Sequence, residues 1–173
     1  MIAARSLRRY SLQLGIQRLP DALDSIGRDS DRFSLIIDLS GKVITWFQYR
    51  DANLCMSYRP ADCEPETCRK LLLGALRYGK PFVIDMLSLT LDEEAFTSLL
   101  DPILPGLFEL LTSKRIIEEE NYVKLIREED GDEYTLKHWR EKNLQHFHFV
   151  VITKLPTLPD WMIDRFFVIK VAA

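Results

Sequence analysis

One run constrains this chain more than any other. Residues 147–153 read FHFVVIT. Strand side chains alternate between faces, so Phe147, Phe149 and Val151 lie on one side and His148, Val150 and Ile152 on the other. Both sides are largely apolar. Such a strand belongs in the middle of a sheet covered on both faces, which is the setting of parallel strands flanked by helices. Residues 33–38 (FSLIID), 52–58 (ANLCMSY), 82–87 (FVIDML) and 166–171 (FFVIKV) read as four more buried strands. Residues 43–50 (VITWFQYR) fit a helical turn or another strand, because β-branched and aromatic residues serve both.

Between the strands the apolar period changes. Residues 66–78 place Leu71, Leu72, Ala75 and Leu76 at helical spacing, and Gly79 stops that helix. Pro81 opens the next strand, where its missing N–H costs least. Asp92 or Thr90 caps a helix through Ala95, Phe96, Leu99 and Leu100. Asp101-Pro102 and Leu104-Pro105-Gly106 interrupt it. Asp130-Gly131 reads as a hairpin turn. Residues 136–144 suit one or two helical turns. Strands alternating with helices predict an α/β domain with a mostly parallel sheet and helices on both faces.

Composition narrows the class. The chain has 173 residues, which is the size of one domain, and 47% of them are hydrophobic, which is too many for a disordered chain. A net charge of -3 argues against a general nucleic-acid binder. No apolar run reaches the roughly 18 residues of a membrane span, so no membrane association is expected. Cys55, Cys63 and Cys68 are odd in number, form no CxxC pair and have no nearby His, so they read as reduced structural thiols in a reducing compartment.

Residues 1–18 carry Arg5, Arg8, Arg9 and Arg18 and no acid. They read as a basic N-terminal helix or linker ahead of a domain over 19–173. A presequence, or a basic helix for calmodulin or a membrane surface, shares that composition. Ile16-Gln17 does not extend to a calmodulin-binding IQ helix, since Pro20 is expected to end the helix too early.

The order of short signals resembles a known arrangement. Leu19-Pro20, Ser25, Arg32, the strand ending Ile37-Asp38, Gly41 and Trp46 come first. Then come Gly79-Lys80-Pro81 with Phe82-Val83-Ile84-Asp85, and later Val151-Ile152-Thr153-Lys154-Leu155. Over about residues 19 to 172 this series resembles the fifth AAA+ unit of the dynein heavy chain, the ATP-binding dynein motor region. It is also similar to the C-terminal region of IQ-motif and ankyrin-repeat proteins. The resemblance implies a three-layer P-loop NTPase-like fold of the AAA+ large-subdomain kind with a degenerate nucleotide site, and the helical lid that usually follows is not expected here.

A working phosphate loop needs G-x-x-x-x-G-K-[ST], so that backbone N–H groups wrap the phosphates and a hydroxyl meets magnesium. The corresponding stretch runs from Ile36 to Val43. Ile36 replaces the first glycine, Val43 replaces the hydroxyl, and Asp38 puts a negative charge where phosphate would sit. Asp85 stands where the resemblance implies a magnesium carboxylate, but Met86 follows it in place of the Glu that orients water. Thr153 lies where a phosphate-sensing residue would stand. Gly41, Lys42, Asp85 and Thr153 are thus the remnant nucleotide-site positions. Asp85 is expected to cap the next turn or pair with Lys42, and Thr153 to make a backbone hydrogen bond. His146 and His148 are expected on one strand face, packed beside aromatics rather than on a metal.

The expectation is a non-catalytic module with no cofactor, no metal and no enzymatic activity. It serves as a structural or interaction domain beside a protein partner or neighbouring domain. A weak ATPase unit of a dynein-type motor, and an adaptor working through the basic N-terminus, are the alternatives. The expected location is the cytoplasm, in association with the cytoskeleton or cilium. Apolar surface near Phe166, Phe167 and Val168, or by Trp161 and Met162, is expected to lack its usual cover. Otherwise an N-terminal helix bearing Leu7, Tyr10, Leu12 and Leu14 folds back over it.

Overall fold

The computed structural model describes residues 9–172. Its strands are β1 (Ser11–Leu14), β2 (Ser34–Ile37), β3 (Asn53–Met56), β4 (Pro81–Asp85), β5 (His148–Thr153) and β6 (Phe167–Val171). They form one sheet in the order β1-β6-β2-β5-β4-β3. Every neighbouring pair is parallel. The helices are α1 (Leu19–Asp29), α2 (Lys42–Gln48), α3 (Pro65–Tyr78), α4 (Glu93–Leu100), α5 (Leu107–Thr112), α6 (Glu119–Tyr122), α7 (Glu141–His146) and α8 (Asp160–Ile163). The α/β class with a parallel sheet between helices is therefore the observed architecture.

The FHFVVIT run forms β5, every residue of which is buried. It lies between β2 and β4, with Val151 opposite both Leu35 and Ile84. Its two faces belong to two separate cores. Phe149 and Val151 join Leu35, Ile37, Phe82 and Ile84 beneath α3, α4 and α5. Val150 and Ile152 join Ile36, Val83 and Ile169 beneath α1 and α2. Three layers follow directly from a strand that is apolar on both sides.

Local signals explain the element ends. Asp92 caps α4 by accepting from the Ala95 N–H at 2.7 Å. Gly79 closes α3 at φ 71°, in the left-handed region that glycine enters without penalty. A β-carbon there would also meet the Asn143 carbonyl oxygen at 2.8 Å.

Three expectations change, and one open reading is resolved. Pro20 does not end a helix: it sits in the first turn of α1, where a missing N–H is tolerated. Residues 11–14 are not helix or linker but the edge strand β1, paired with β6 through Ser11↔Val168. Arg5, Arg8 and Leu7 lie outside the described residues. Asp130-Gly131 makes no hairpin, since the segment from 115 to 138 is a chain of short α and 3₁₀ turns. The ambiguous residues 43–50 are mostly helix, within α2.

The surface expected to be bare is partly covered, with Trp161, Phe167 and Val168 half-buried. Met162 and Phe166 are fully buried. Phe166 packs beside Phe108 and Phe149, and Trp161 packs edge-on to Phe96 and Phe108. Tyr10 stands edge-on to Phe167. The N-terminal segment thus does reach β6, as a strand rather than a helix.

The turns that replace the hairpin are held by one buried cation. Arg69 of α3 is 1% exposed. It donates to both carboxylate oxygens of Asp130 at 2.7 Å, to the Leu125 carbonyl at 2.8 Å and to Glu66. A planar guanidinium matches a carboxylate in this two-pronged way, which gives the contact direction as well as charge.

The cysteines are free thiols. Hydrogen bonding to Cys68 and burial push Cys55 well above the usual thiol range, and burial raises Cys63 to about 11. Thiols so raised are poor nucleophiles.

Candidate functional site: the carboxyl edge of β2, β4 and β5

In open α/β sheets, ligands bind outside the carboxyl ends of strands where neighbouring connections diverge. Here β2 leads through α2 to the far edge strand β3, while β5 leads the other way to β6. The loops after β2, β4 and β5 meet at that point.

The loop from β2 to α2 is Asp38-Leu39-Ser40-Gly41. Its carboxylate turns inward. Asp38 Oδ1 accepts from the Ser40 N–H at 3.1 Å and the Ser40 hydroxyl at 2.6 Å, and Oδ2 accepts from the Val43 N–H at 2.7 Å. The Lys42 N–H donates to Ser40 Oγ. These are the kinds of backbone donor that a phosphate loop turns toward its ligand. Here a side chain of the same loop uses them. Asp38 is 1% exposed, and its own N–H donates to the Thr153 carbonyl at 2.9 Å.

Gly41 sits at φ 77°, so the turn needs glycine there. It is also roofed: a β-carbon at Gly41 would lie 3.1 Å from Lys154 Nζ. In the sequence Lys154 stands only as part of a five-residue strand end. Its position over the loop has no local signal. Lys42 begins α2 with an exposed side chain. Among the described residues it makes no ion pair, so the expected pairing with Asp85 does not form.

Asp85 ends β4 and caps the next turn by accepting from the Leu87 N–H at 3.1 Å. Burial pushes its carboxyl pKa up, against the Leu87 hydrogen bond and the charge of Lys154, while the Asp38 charge pushes the same way as burial. Thr153 Oγ1 donates to the Leu87 carbonyl at 3.4 Å and accepts from the Leu155 N–H at 3.1 Å. Both Asp85 and Thr153 therefore grip Leu87, which is held at φ 47°. A leucine in the left-handed region is uncommon and is kept there by surrounding bonds.

Gly41, Lys42, Asp85 and Thr153 thus come to one edge of the sheet, with Asp38 and Lys154 added. No known family model matches the chain.

The histidines do not converge. His146 ends α7 and His148 begins β5, so they share no strand face. Among the described residues, no group of three or more His, Cys, Asp or Glu is arranged to hold a metal ion. No helix among them is long and apolar enough to cross a membrane.

Proposed function

We propose that this chain is a non-catalytic, degenerate AAA+ module of the dynein-motor kind, working as a structural or protein-interaction domain within a larger multidomain protein. The observation that carries the reading is the Asp38 carboxylate, which takes the loop's backbone donors for itself. A phosphate entering there would have to displace it and would meet its charge. Met86, where an enzyme of this kind would need a Glu, supports the non-catalytic part of the reading.

The same edge offers apolar side chains to a neighbour. Leu39, Tyr58 and Leu89, on the loops after β2, β3 and β4, are 53%, 43% and 44% exposed. The resemblance makes the partner class a neighbouring domain or a protein of the cytoskeleton or cilium.

Calorimetric titration with ATP and magnesium tests the reading. No binding, or binding weaker than about millimolar, is expected. A micromolar dissociation constant that disappears in Lys42→Ala would overturn it and favour a weak ATPase unit.

A further inference from the structure

The opposite end of the sheet holds a cleft that the nucleotide-edge reading does not use. Its volume is ≈ 790 Å³. That lies within the few hundred to about 1,000 Å³ of small-molecule sites. One face of α1 forms a wall through Leu23, Asp24, Gly27 and Arg28, which recur at helical spacing. The C-terminal end of α2 supplies Trp46 and Phe47, and the turn that follows supplies Arg50. The floor is the start of the central strands, with Phe33, Phe147 and His148.

We propose that this cleft binds a small aromatic anion, of the aryl carboxylate or aryl sulfonate class. The charge around it is opposite to that of the chain. Arg28, Arg50 and Lys114 line it against the single carboxylate of Asp24, on a protein of net charge -3. The Arg28 guanidinium already pairs with Asp29 Oδ1 at 3.3 Å, so the balance rests on Lys114 and Arg50 against Asp24. The Lys114 ammonium is spent on the carbonyls of Ser30 and Gly27, at 2.5 and 3.3 Å, and adds field rather than a free donor. The Arg50 guanidinium lies 4.0 Å from the Trp46 ring centroid and, among the described residues, donates to no protein atom.

One further donor has no protein partner among the described residues. Trp139 and Trp161 give their indole N–H groups to the Tyr134 and Leu91 carbonyls, whereas Trp46 gives its to no protein atom among the described residues. On the floor, buried His148 bonds the Ser34 hydroxyl through Nε2 at 2.8 Å. Its Nδ1 faces Gly27, where a β-carbon would lie only 3.1 Å away. That approach explains a glycine inside α1, a position where glycine costs roughly 1 kcal/mol relative to alanine. The half-buried Trp46 ring suits a planar body, and its N–H together with Arg50 suits the anionic group.

The test uses 1-anilinonaphthalene-8-sulfonate, its uncharged counterpart N-phenyl-1-naphthylamine, and NMR of the three indole N–H groups of the whole chain. The sulfonate is expected to shift the Trp46 indole saturably, leaving those of Trp139 and Trp161 in place. The uncharged compound should bind at least roughly tenfold more weakly, a difference of about 1.4 kcal/mol. Arg50→Gln changes an exposed side chain and should weaken the sulfonate by a similar factor. Asp24→Asn should tighten it, and Lys42→Gln, at the other end of the sheet, should leave it unchanged. No saturable Trp46 shift up to millimolar probe overturns the proposal. So does equal binding of the uncharged compound, or an unaltered affinity in Arg50→Gln. None of these outcomes bears on nucleotide at the carboxyl edge.

Discussion

Arg69 and His148 are single residues whose burial makes stability depend on acid. The Arg69 guanidinium, through its hydrogen bonds, holds Asp130 below its ordinary 3.8. A carboxylate lowered on folding stabilises the fold above its unfolded pKa, and the contribution is lost as pH falls through the folded value. Arg69→Leu leaves the Asp130 carboxylate, 3% exposed, without its partner. The expected loss is about 3–5 kcal/mol in urea denaturation at neutral pH. A loss under about 1 kcal/mol would show that the pair acts like a surface one. His148 titrates in a higher window. Burial, with the Lys114 charge, pushes it from 6.5 to about 3. The folded state keeps it neutral, the unfolded state binds its proton first, and stability drops as pH falls from 6.5 toward 3. The slope is at most about 1.4 kcal/mol per pH unit. His148→Gln, which keeps a partner for Ser34, should flatten denaturation midpoints between pH 6.5 and 4.5 while leaving the Asp130 decline at lower pH. An unchanged slope in that variant would mean other groups carry it.

Helix ends are where the elements of this fold lean on one another. Beyond the Ile26 carbonyl, which accepts from the Ser30 N–H at 3.0 Å, the last carbonyls of α1 have no partner in their own helix. Lys114 supplies one from 84 positions away by donating to Ser30, as well as to Gly27 and Ile26. A cation at this end also opposes the helix dipole. Lys114→Met keeps most of the side-chain volume and removes the charge. It should cost about 1–3 kcal/mol, read as a lower melting temperature, with faster amide exchange concentrated in the last turn of α1. Exchange that rises uniformly over the chain would argue against a local cap. At the other sheet edge, Asp38→Ala strips the acceptor from the Ser40 and Val43 N–H groups. About 1–3 kcal/mol of stability should be lost in chemical denaturation. An Asp38→Ala protein as stable as the parent would mean that water replaces the carboxylate without cost.

The molecule as a whole is organised around β5. Its two faces close two cores, and Phe149 belongs to the one beneath α3, α4 and α5. Phe149 stacks on Phe82 at 6.0 Å and touches the Phe166 side of the core as well. Phe149→Ala is expected to cost about 3–5 kcal/mol. That is a large share of the roughly 5–15 kcal/mol that a domain has in all. Its denaturation midpoint should fall far more than that of Leu12→Ala, a half-exposed position on the edge strand β1. Equal shifts for the two would contradict the central place of β5.

What the sequence determined by itself was local in range. The alternation in FHFVVIT specified a strand buried on two faces, and that property already demands helices on both sides. Asp92, Gly79 and Pro81 marked element ends because caps and prolines act within a few residues. The candidate edge was legible only as far as Gly41, Lys42, Asp85 and Thr153 could be picked out; how their loops meet was not. Strand order, the Ser11↔Val168 pairing, the Arg69–Asp130 contact and the Lys154 roof over Gly41 join residues far apart in the chain. Asp130-Gly131 shows the consequence. Its hairpin signal was sound locally, but Asp130 takes its two bonds from Arg69, 61 positions away, and another from the Arg127 N–H. A buried charge that needs a partner outweighs a turn preference, and only the tertiary structure supplies the partner.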